Sequence, residues 1–64
     1  MSIEEILQLE IGTKIVYTRE NIKENRTIGR VLGRFSAISD YGTYMPINEE
    51  TYRRYNYKIE VAKD

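Results

Sequence analysis

The 64 residues carry ten Lys and Arg against ten Asp and Glu, with no cysteine and no histidine. Without cysteine there is no disulfide, thiolate nucleophile or Cys-based zinc site, and without histidine the commonest general base and metal ligand are missing. A chain this short forms one domain and buries only about 60% of its unfolded surface, so six tyrosines and one phenylalanine must supply much of the core.

Charged residues are 31% and apolar ones 41%, a balance that favours a folded domain over disorder. No apolar run approaches the roughly 20 residues that span a bilayer. Glu4 and Glu5 stand within the first five residues, where a signal peptide carries basic residues, so the N-terminus shows no signal-peptide pattern. A cytoplasmic protein with no membrane partner is expected. Charge is unevenly spread: −3 over residues 1–10, +4 over 11–34 and −1 over 35–64.

Ser2 to Leu9 reads as a short helix. Ser2 with Glu5 fits a capping box, Met1 with Ile6 fits a hydrophobic staple, and Gly12 is a stop. Thr13 to Arg19 is a strand with Ile15 and Tyr17 on one face. Glu20 to Arg26 is polar except for Ile22 and has no clear period, which predicts a loop. Thr27 to Ser39 is rich in β-branched and aromatic residues, but its apolar parity changes midway. A bend or bulge at Gly33 would repair the phase, and it makes Phe35 a core residue. Asp40-Tyr41-Gly42 reads as a turn, and Thr43 to Ile47 as a returning strand with Pro46 at its end or on an edge. Asn48 caps a short helix to Tyr55, and Asn56 ends it in the left-handed conformation. Glu49 with Arg53 and Glu50 with Arg54 are i,i+4 pairs. Tyr57 to Ala62 alternates cleanly and is the last strand.

This order over residues 12–62 resembles the small SH3-like barrels. There a first strand, a long loop, a bent meander, a helical turn and a closing strand follow one another. The resemblance is one of layout. It implies a mainly β fold, a small SH3-like barrel of four to five antiparallel strands. A short N-terminal helix (residues 1–11) precedes it and a short helix precedes its last strand, all in a single domain over 1–64. The ALYDY-like stretch and tryptophan pair of proline-rich-peptide binders are missing, so classical SH3 peptide recognition is not implied.

No motif marks a catalytic or phosphate site. Gly29 and Gly33 are four apart, but Arg30 interrupts a segment of β character, so a bend explains them better than helix dimerisation. Asp40, Glu49, Glu50, Glu60 and Asp64 are accounted for by turn chemistry, capping and solvated faces. An enzyme is therefore not expected, nor a cofactor or metal. One set invites a binding role. Arg30 and Arg34 share a parity, Tyr41 sits at a turn tip, and Arg53 and Arg54 flank Tyr52 and Tyr55. Tyrosine and arginine are enriched at interface hot spots. In so small a core, however, Tyr17, Tyr44, Tyr52 and Tyr57 are expected to be structural, and exposed arginines also serve solubility alone. The expected function is a binding protein that recognises another protein as inhibitor, adaptor or regulator through Arg30, Arg34, Tyr41, Arg53 and Arg54. Nucleic-acid binding through the basic segment 14–34 is the alternative, weakened by the zero net charge. Oligomeric state is left open.

Overall fold

The capping box at Ser2 starts the chain's first element. In the computed structural model, which describes residues 1–63, Ser2 Oγ accepts from the Glu5 N–H at 3.2 Å and Ser2 N–H donates to Glu5 Oε1 at 2.9 Å. They open helix α1 (Ile3–Ile6). The Ser2 backbone bond, followed by its hydroxyl, holds the Glu5 carboxyl below its ordinary range.

Five strands follow: β1 (Lys14–Arg19), β2 (Ile22–Val31), β3 (Arg34–Ser39), β4 (Tyr44–Pro46) and β5 (Lys58–Val61), with helix α2 (Glu49–Tyr55) before the last. All pairings are antiparallel, in the order β4-β3-β2-β1-β5. The mainly β architecture with two short helices is as expected, and β5 lies beside β1, with Tyr17 facing Ile59. Closure is not as expected. β4 and β5 end the strand order without a ladder between them, so the sheet is open rather than a closed barrel. β4 is only three residues and ends at Pro46, which has no N–H to offer a further strand; its carbonyl already accepts from Thr51 Oγ at 2.8 Å.

Two expected features of the chain's first half are corrected. Glu20 to Arg26 is not a long loop. Glu20 and Asn21 form a two-residue turn at φ 52° and 66°, and Ile22 already pairs with Arg19. Ile22, the one apolar residue of that stretch, is largely exposed. Thr27 to Ser39 is not one bent strand. Leu32 and Gly33, at φ 53° and 77°, turn the chain back through another two-residue hairpin closed by Val31 and Arg34. Register explains the parity change. Arg30 faces Phe35 and Ile28 faces Ala37, so inward positions are even-numbered on β2 and odd-numbered on β3.

The inward face carries Ile15, Tyr17, Ile28, Ala37 and Ile59, all buried. Ile6 from α1, Ile47 and Tyr57 complete the core, with Phe35, Tyr52 and Tyr55 half-buried against it. Tyr57 is stacked between Tyr17, at 5.3 Å between centroids, and the edge of Tyr52, at 5.4 Å. Its hydroxyl bonds Thr51 Oγ at 2.9 Å. Tyr44 is not core; it is 46% exposed on the edge strand. α2 is capped by Asn48 and ends at Asn56 in the left-handed region, φ 51° and ψ 40°. Among the described residues no helix is long and apolar enough to cross a membrane.

Candidate interaction surface

The β2–β3 hairpin projects the least expected side chain in the molecule. Leu32 is 90% exposed and sits at positive φ. That conformation costs a residue with a Cβ roughly 1–2 kcal/mol and suits Gly or Asn instead. The β1–β2 turn follows this preference at Asn21 but not at Glu20, which holds φ 52° at the position equivalent to Leu32; Glu20, however, is polar, and only the β2–β3 turn exposes an apolar side chain there. Neither backbone preference nor burial explains a leucine at position 32. Unusual backbone geometry held at an exposed tip is a mark of recognition sites.

Arg30 and Arg34 flank this tip, both exposed. They are not on one face. Arg30 shares a face with Phe35, and Arg34 with Val31, so the two guanidinium groups stand on opposite sides of the hairpin with Leu32 between and beyond them. The only ion pairs among the described residues are Arg26–Glu24 at 3.0 Å and Arg53–Glu49 at 2.7 Å. Arg30, Arg34 and Arg54 therefore have no described carboxylate within 4.0 Å.

Tyr41 is 93% exposed at the β3–β4 turn. The turn is tightly held: Ser39 Oγ accepts from the N–H groups of Tyr41 at 3.3 Å and Thr43 at 3.1 Å, and Ser39 N–H donates to Thr43 O at 2.8 Å. Tyr41 does not join the arginines. It follows the far end of β3 from Arg34, and a six-residue strand at about 3.3 Å per residue separates them by roughly 20 Å. Arg53 and Arg54 lie on α2 in a shallow groove shared with Glu49 and Glu50. Acids offset the bases there, and Glu49 already holds Arg53. The five residues thus fall into three places: the β2–β3 tip, the β3–β4 tip and the surface of α2.

Two bases of the segment 14–34 pack on the fold's own tyrosines. Arg26 points inward beside Ile15, with only 10% of its side chain exposed. It lies over the Tyr17 ring at 4.5 Å, donates to Ala37 O at 3.2 Å and bonds Glu24. Arg19 similarly covers Tyr55 at 4.5 Å. Leu32 was missed from sequence because leucine is not a turn residue; the signal available was the parity change around Gly33. No group of three or more His, Cys, Asp or Glu capable of holding a metal occurs among the described residues. Comparison with protein-family models, curated proteins and solved structures finds no match to this chain.

Proposed function

We propose that this chain is a non-enzymatic binding module of the small SH3-like type. It acts in the cytoplasm and recognises another protein through the β2–β3 hairpin tip, as an inhibitor, adaptor or regulator. The observation that carries this reading is Leu32, 90% exposed at positive φ between two arginines. An apolar anchor with cationic flanks fits an apolar pocket with an acidic rim. Burial of Arg26 against the fold's own acceptors takes a cation out of the basic segment and weighs against nucleic acid, which rewards accessible cations.

Affinity capture from the native host tests this, using the wild-type chain and Leu32→Asp, each with and without nuclease. A protein retained through nuclease treatment and lost with Leu32→Asp is expected. Recovery that depends on nucleic acid, or that survives Leu32→Asp unchanged, contradicts the reading.

A further inference from the structure

β2 has ten residues, but β3 pairs only with its second half. Ser39 faces Arg26, and the chain then turns away at Asp40. Ile22 to Asn25 therefore have β1 on one side and no strand on the other. One hydrogen bond fixes which way their backbone groups point. Ala62 N–H donates to Lys14 O, so even-numbered residues of β1 direct their backbone at β5 and odd-numbered ones at β2. Ile15, Tyr17 and Arg19 face Arg26, Glu24 and Ile22. Lys23 and Asn25, both exposed, then aim their N–H and C=O groups outward. A notch of about 240 Å³ runs beside them, bounded by Ser39, Asp40 and Tyr41.

We propose that this notch takes an extended segment of another protein, which adds as a strand to Lys23–Asn25. The outward groups repeat at the two-residue spacing that a β-strand matches. Lys23 has no described carboxylate within 4.0 Å, so one acidic residue of the segment pairs with it, while Asp40, which also lines the notch, disfavours a second. Tyr41, fixed by the Ser39 turn, closes the end of the notch over an apolar residue. A second copy of this chain is disfavoured as the occupant. Antiparallel self-pairing that matches Lys23 with Asn25 sets Glu24 opposite Glu24, and pairing centred on Lys23 sets lysine opposite lysine; both are repulsive. Pairing centred on Asn25 brings Lys23 to Thr27, which β3 already occupies through Ile38.

The site is separate from the Leu32 tip, and the test keeps them apart. A phage-displayed library of random short peptides is selected on the full chain, and the binders are remade synthetically. Affinities are measured for wild type, Lys23→Pro and Leu32→Asp. Proline at 23 removes an N–H that points to solvent, so the β1–β2 ladder persists. The expected result is acid-containing peptides whose affinity falls at least about tenfold with Lys23→Pro and holds with Leu32→Asp. The amides of Lys23 and Asn25, fast to exchange in the free protein, become protected on binding. If Lys23→Pro does not fold, that protection in the wild-type chain decides alone. No binders, unchanged affinity with Lys23→Pro, or no new protection overturns the proposal.

Discussion

The Ile38 side chain lies across the backbone of Gly29 on the outward face of the sheet; a Cβ on Gly29 would come 2.6 Å from Ile38 Cδ1. The contact is to the tip of a side chain with some freedom to move, so Gly29→Ala is expected to cost less than about 1 kcal/mol. Gly29→Val overpacks the same space and should cost about 1–3 kcal/mol. Replacing Ile38 by Ala in the Gly29→Val background should recover most of that loss. Urea melts of wild type, Gly29→Val, Ile38→Ala and the double variant check this, and strictly additive effects would mean that the two positions do not share the space.

Arg26 is expected to contribute more than a surface arginine. Arg26→Lys keeps the charge but loses the planar stack on Tyr17 and the fork that reaches both Ala37 O and Glu24. A loss of about 1–3 kcal/mol is expected in denaturant melts. Glu24→Gln should cost under about 1 kcal/mol, because its side chain is 41% exposed and solvent screens the pair.

Leu32→Asn should separate stability from function. Asparagine tolerates the left-handed conformation, so the variant is expected to be about 1 kcal/mol more stable than wild type. Its affinity for the captured partner should fall by about 2 kcal/mol or more, as at a hot spot. Thermal melts and a titration on the same sample check both. A more stable variant with full affinity would remove Leu32 from the interface.

Burial pushes the Tyr57 hydroxyl above its ordinary value of 10.0, and the Thr51 hydrogen bond offsets this in part. The folded state therefore favours the protonated phenol. Its contribution is complete below the unfolded value and is lost as pH rises past 10 toward the higher folded value. Stability should fall with alkali, and Tyr57→Phe should flatten that fall while lowering neutral-pH stability by about 0.5–1.5 kcal/mol through the lost bond. Melts across the alkaline range check it; an identical slope in both proteins would contradict the assignment.

Local signals were legible where one residue acts on its neighbours. Ser2 with Glu5, Asn48 and the left-handed Asn56 cap the two helices as the sequence predicts, although α1 ends at Ile6 rather than running to Leu9, and the clean alternation of Tyr57 to Ala62 predicts the strand that joins β1. The misread stretch lies between them. Lys23 to Asn25 show no alternation because that part of β2 lacks a neighbour on one side and stays wet. Leu32 hides a turn because its chemistry opposes the conformation it adopts. That one turn also moves Arg34 to the face opposite Arg30. The arginines' exposure was readable from sequence, but their grouping depended on the register.

The most direct measurement places a photoreactive p-benzoylphenylalanine at position 32 in the native host, with the same residue at Lys58, exposed on β5, as the control. Protein recognition through the hairpin tip predicts a discrete, nuclease-resistant protein adduct at position 32 that is absent at position 58. No adduct above the control, or one that nuclease removes, would contradict it.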